Sequence, residues 1–127
     1  MSDDAAVGTV VLYLDDEESL VFLVTRLLKR LGYEACGFTS AVEALDAFKA
    51  DPTRYKLVLT DLSMPGASGL EFARDVLAIA PTSKVAILSG HVEEADVMRA
   101  TALGVRAVIQ KPHTLAELGP MVQRLLR

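Results

Sequence analysis

The chain is expected to fold as a doubly wound α/β domain: a five-stranded parallel sheet in the order 2-1-3-4-5, with five helices on its faces. Three observations predict this. Apolar runs of about five residues alternate with longer stretches of helical period, the pattern of strands and crossover helices around a parallel sheet. The runs are close to continuously apolar, as strands buried on both faces require. Their ends carry acids, a hydroxyl and a lysine, at the edge of the sheet where open α/β folds place ligands.

The strands are placed near 9–14, 33–38, 56–60, 84–88 and 106–110. The first, Thr9-Val-Val-Leu-Tyr-Leu14, leads into Asp15, Asp16 and Glu17. A helix follows, with Leu20, Val24, Leu27 and Leu31 at spacings of four, three and four. Glu17 and Glu18 suit its N-terminus, Lys29 and Arg30 its last turn, and Gly32 its stop. The second strand, Tyr33-Glu-Ala-Cys-Gly-Phe38, is mixed and is assigned to an edge. Ser40-Ala-Val-Glu43 reads as a capping box opening a helix through Ala50. The third strand, Lys56-Leu-Val-Leu-Thr60, ends at Asp61 before Leu-Ser-Met-Pro-Gly66, and a helix with Leu70, Phe72, Ala73, Val76 and Leu77 follows Gly69. Lys84-Val-Ala-Ile-Leu88 runs into Ser89-Gly90, ahead of a short polar helix near 92–102 with Val97 and Ala100 inward. Arg106-Ala-Val-Ile-Gln110 runs into Lys111-Pro112. Thr114-Leu-Ala-Glu117 reads as another capping box with Leu118, Val122 and Leu125 behind it. Pro120 either kinks this last helix or stands in its true first turn.

Composition bounds the function. The chain has 127 residues, 51% hydrophobic and 24% charged, which suits one globular domain with an ordinary core. Its 13 Lys+Arg against 17 Asp+Glu leave a net charge of −4, so no basic footprint for nucleic acid is present. No apolar stretch approaches the roughly 20 residues of a membrane span, and the polar start Met-Ser-Asp-Asp4 lacks signal-peptide character. The single Cys36 makes no internal disulfide and is read as a small core residue, and no Cys/His pair has zinc-ligand spacing. A cytoplasmic domain is expected.

In the order 2-1-3-4-5 the first and third strands are neighbours at the switch point, which brings Asp15, Asp16 and Asp61 into one pocket. Two carboxylates about 5 Å apart repel by roughly 3 kcal/mol at an effective dielectric near 20. Three together call for a cation or a proton. Hard oxygen donors with room for water suit Mg²⁺, and Mn²⁺ is compatible with the same donors. Mg²⁺ beside a carboxylate nucleophile suggests phosphoryl transfer, in which catalysis is mostly positioning and charge neutralisation. Ser89 is placed to hydrogen-bond a phosphoryl oxygen and Lys111 to give it a point charge.

Leu14-Asp-Asp-Glu17, Thr60-Asp-Leu-Ser-Met-Pro-Gly66 with Gly69, Leu88-Ser-Gly90 and Gln110-Lys-Pro112 stand in an order and spacing that resembles a response regulator receiver domain of bacterial two-component signalling systems. The likeness covers nearly the whole chain. It implies a flavodoxin-like receiver fold, one domain over 1–127 with a core at about 8–126. It implies that Asp61 is the phosphoacceptor, taking a phosphoryl group from a histidine kinase or phosphotransfer protein, after which the domain switches conformation. Asp15 and Asp16 would hold Mg²⁺, completed by Asp61 and the backbone carbonyl of Ser63. Ser89 would be the switch hydroxyl and Lys111 the lysine that meets the phosphoryl group, with a cis Lys111–Pro112 bond. Such a domain catalyses at most its own phosphorylation and dephosphorylation, and a weak homodimer is compatible with the family.

The sequence also departs from the family. Val108 stands where members often carry an aromatic switch residue, and Ser68 where they often have Asp. Ser63 and His91 occupy positions that tune phosphoryl lifetime. Taken singly, Asp15-Asp16 could cap a helix, Asp61 could form a turn, His91 could be a solvated loop residue, and Met64 could pack under the loop. Rival chemistries fit less well. A haloacid-dehalogenase-type phosphatase needs an acid where Ser63 stands. An FMN carrier needs a hydroxyl-rich loop where Asp-Asp-Glu-Glu18 would repel phosphate, and no Gly-rich nucleotide loop occurs. A docking module with little use of phosphorylation is the remaining alternative, opposed by the intact acids and favoured by Val108. No output domain follows Arg127, so a stand-alone receiver or one excised from a longer protein is expected. The cluster Met64–Gly69, Leu88–His91 and Lys111–Thr114 is similar to receivers of hybrid histidine kinases.

Overall fold

Five strands form one sheet: β1 (Val10–Leu14), β2 (Glu34–Phe38), β3 (Tyr55–Asp61), β4 (Val85–Ser89) and β5 (Ala107–Gln110). They alternate with α1 (Glu18–Arg30), α2 (Ala41–Ala50), α3 (Gly69–Ile79), α4 (Glu94–Leu103) and α5 (Leu115–Leu126). The computed structural model describes residues 8–112 and 114–127, and these are the helices among them. All strand pairs are parallel, in the order β2-β1-β3-β4-β5. The expected topology holds, with β1 beside β3 and the mixed β2 at an edge.

Side chains alternate across the sheet with the period of a strand. Val10, Leu12, Leu14, Val58, Val85 and Ile87 point to one face, against Phe48, Phe72, Val76 and Ala100 of α2, α3 and α4. Val11, Tyr13, Leu57, Leu59, Ala86 and Leu88 point to the other, against Leu28 of α1 and Leu118, Met121, Val122 and Leu125 of α5. Central β1 and β4 are buried at every position, whereas edge strands β2 and β5 are half-exposed. The predicted Val24 and Leu27 of α1, with Leu31 just past its end, pack against the second cluster, and Leu28 is the helix's one fully buried residue.

Three local expectations are resolved or revised. The last helix does not begin at Pro120: Thr114 Oγ1 accepts from Glu117 N at 3.2 Å, Glu117 Oε2 accepts from Thr114 N at 3.0 Å, and α5 runs on through the proline. Burying Leu118, Met121, Val122 and Leu125 at about 1.5–3 kcal/mol each outweighs the ~3 kcal/mol penalty of an interior proline. At α2, Ser40 Oγ accepts from Glu43 N at 3.3 Å, which is half of the expected box. The Lys111–Pro112 bond, expected cis, is trans, since no described peptide bond is cis. Trans is favoured at an X–Pro bond by ~0.5–1 kcal/mol, and from it the Lys111 ammonium already reaches both buried carboxylates.

Candidate functional site

The ends of β1 and β3, which neighbour each other in the sheet, bring Asp15 and Asp61 together. One carboxylate oxygen from each of Asp15, Asp16 and Asp61 lies within 4.8 Å of the others. Asp15 is fully buried and Asp61 nearly so, while Asp16 is exposed. Three clustered oxygen donors of this kind, without Cys or His, fit a hard divalent cation.

Lys111, just past the end of β5, brings a positive charge to the acids. Its Nζ lies 3.0 Å from Asp15 Oδ2 and 3.2 Å from Asp61 Oδ1. Burial pulls the Lys111 pKa down, but the hydrogen bond and charge of Asp15, with those of Asp61, outweigh it and leave the ammonium above its ordinary value. Asp61 moves upward too. Burial is the main cause, countered by Lys111 and reinforced by Asp15. The two directions agree physically: the ammonium gains from two carboxylates, whereas Asp61 shares that one ammonium with Asp15. With all three acids ionised, three negative charges and one positive leave a formal −2, matched to a divalent ion.

The backbone under Asp61 is clamped. Thr60 Oγ1 donates to the Asp61 carbonyl at 3.0 Å, and Gly69 N donates to Leu62 O at 2.8 Å. A Cβ on Gly69 would stand 2.1 Å from the Asp61 carbonyl oxygen, so only glycine lets α3 start this close. Ser68, standing where the family often has Asp, caps α3 by accepting from Leu70 N at 3.1 Å. Ser and Asp are both favoured at such a cap.

The other predicted residues fall around this centre. Ser89 is buried at the end of β4, and its hydroxyl donates to His91 O at 2.7 Å and accepts from His91 N at 3.2 Å. It therefore meets the backbone of His91, whose side chain is exposed. Ser63 opens a two-residue antiparallel ladder with Ser68, and Met64 is buried beneath the loop. Val108 is half-buried and pairs with Ile87 of β4. Cys36 is half-buried against the core. Sequence reasoning gave Tyr13 no role. Its hydroxyl donates to Asp15 Oδ2 at 2.9 Å. The available signal was a phenol inside an otherwise aliphatic run, two residues before an acid and thus on the same face of the strand.

A family model described as the response regulator receiver domain matches residues 11–123. The chain belongs to that family and is a receiver domain of two-component systems. It is similar to the sensory transduction protein RegX3 of Mycobacterium tuberculosis, 32% identical over 119 residues, covering 94% of this chain and 51% of RegX3. Of other curated relatives it spans as little as 21% of the length. Among solved structures, a response regulator receiver domain protein from Clostridium thermocellum has a TM-score of 0.85 at 28% identity, covering 93% of this chain and 94% of that one. The response regulator TrrA from Thermotoga maritima, solved in complex with Mg²⁺ and BeF, has a TM-score of 0.81 at 28% identity, covering 92% and 98%. No described helix is long and apolar enough to cross a membrane.

Proposed function

We propose that Asp61 takes a phosphoryl group from the phosphohistidine of a histidine kinase or phosphotransfer protein. The single observation that carries this is the triad Asp15, Asp16 and Asp61 at adjoining strand ends, with Lys111 bridging the two buried members. An Asp61 carboxylate oxygen attacks phosphorus, the P–N bond breaks, and the electron pair leaves with the imidazole. Hydrolysis returns the carboxylate and inorganic phosphate. The domain catalyses at most these two steps of its own cycle.

Asp15, Asp16 and Asp61, with the carbonyl of Ser63, would hold Mg²⁺. Bound there, the ion would neutralise charge on the transferring group. Mg²⁺ is named with the related TrrA, whereas Mn²⁺ has no such support. Lys111 is held beside Asp61 and needs only to shift its donors from carboxylate to phosphoryl oxygen. Ser89 must give up its bonds to His91 to do the same, which makes it the moving part; Ser63 and His91, two residues past Asp61 and Ser89, stand at the positions that tune phosphoryl lifetime in the family. Residues 1–127 act as one domain with a core at about 8–126, in a cytoplasmic setting where ATP-fed kinases work, and nucleic acid is not its direct partner.

Beryllofluoride, a phosphoryl mimic, tests this reading by backbone NMR. With Mg²⁺ it should shift resonances around Asp61, Ser89 and Lys111 in the wild type and leave Asp61→Asn unmoved. Equal responses in the two proteins would refute Asp61 as acceptor.

A further inference from the structure

We propose that Tyr13 is a positioning residue for the cation site, fixing the Asp15 carboxylate through its phenol hydroxyl. This rests on the reading that Asp15, Asp16 and Asp61 hold Mg²⁺. The torsion that turns an aspartate carboxylate is broad, so its oxygens point where their donors hold them. Among the described residues Asp15 has three donors. Glu17 N donates to Oδ1 at 3.0 Å, and Tyr13 Oη and Lys111 Nζ meet Oδ2 at 2.9 and 3.0 Å. Lys111 does not serve Asp15 alone, because it is shared with Asp61 and its side chain is 21% exposed.

Among the described residues the Tyr13 hydroxyl bonds Asp15 alone. Tyr13 is 2% exposed, and its ring belongs to the cluster of Leu28, Leu118, Met121 and Val122, so the hydroxyl is aimed by packing from α1 and α5. When Lys111 is drawn to a phosphoryl group, Oδ2 retains Tyr13. The hydroxyl therefore preserves the ligand's orientation through the whole cycle. Groups that orient a metal ligand in this way typically change metal affinity by ~10–100-fold when removed.

The chain has three tyrosines and no tryptophan, so tyrosine emission reports the site directly. Mg²⁺ is titrated into the wild type, Tyr13→Phe and the double variant Tyr33→Phe/Tyr55→Phe, followed by calorimetry and by tyrosine fluorescence. Tyr13→Phe should bind Mg²⁺ roughly tenfold more weakly while its circular dichroism stays native. The double variant, with Tyr13 as its only tyrosine, should keep wild-type affinity and the full emission change. Equal affinity in Tyr13→Phe and wild type would overturn the inference while leaving the metal site intact. A wild type that binds no Mg²⁺ would overturn both. Should Tyr13→Phe fail to fold, a Tyr13 emission in the double variant that ignores saturating Mg²⁺ would also overturn it.

Discussion

Asp61 combines a buried carboxylate with an ammonium it must share. Its pKa is raised, so the folded state holds its proton more tightly than the unfolded chain does. The stability linked to this group is therefore complete below the unfolded value and lost as pH rises through the folded one. Asp61→Asn removes that loss. In EDTA at pH 7 the variant should melt a few degrees above wild type, and the gain should vanish below about pH 4. Coincident melting curves across this range would contradict the assigned direction. Gly69→Ala acts on the same residue from below, since its Cβ would stand 2.1 Å from the Asp61 carbonyl oxygen. Overpacking of this kind costs about 1–3 kcal/mol, so urea unfolding should show that loss together with slower phosphorylation. The acids, Ser89 and Lys111 were legible as residue types at strand ends. The clamp of Thr60 and Gly69 on Asp61 and the role of Tyr13 were not, because close approach between separate elements leaves no local pattern.

At the scale of elements, β5 lacks the aromatic that would couple it to Ser89. Val108 is half-buried on the α2–α4 side of the sheet, and its branched side chain has few χ1 choices. A two-state element that both sites bias is what carries coupling. On the proposed reading that element would be the loop after β4, where Ser89 Oγ bonds the backbone of His91, together with α4 beyond it. Beryllofluoride should therefore shift amides of residues 89–100 more than those of 106–110, and Val108→Tyr should enlarge the response along β5. A wild-type response already as large in β5 as in α4 would show the aromatic to be dispensable. Helix positions followed from apolar spacing. The course of α5 did not, because Pro120 argues locally for a break while Leu118, Met121 and Val122 bind the helix to the sheet from both sides of it. Local sequence carries the proline's penalty but not the burial that exceeds it.

For the whole molecule, topology and chemistry are one fact: the order β2-β1-β3-β4-β5 sets two acidic strand ends side by side and brings Lys111 across from residue 15. The parallel sheet was legible because continuous apolar strands alternate with helical periods, and its order is one of the common doubly wound orders. The pairing of Lys111 with Asp15 was not, since it joins groups 96 residues apart. A cation bound to the folded state alone stabilises it by about 1.4 kcal/mol at ten times its Kd. Thermal melts in millimolar MgCl₂ and in EDTA should then differ by a few degrees, and Asp16→Asn should abolish the difference. Identical wild-type melts would remove the metal site.

Peptide mapping by mass spectrometry after reaction with acetyl phosphate and Mg²⁺ bears most directly on Asp61. One phosphoryl group on Asp61 in the wild type, with none on the Asp61→Asn protein, is the predicted result. A phosphoryl group on any other residue of the wild type, or equal labelling of the variant, would contradict it.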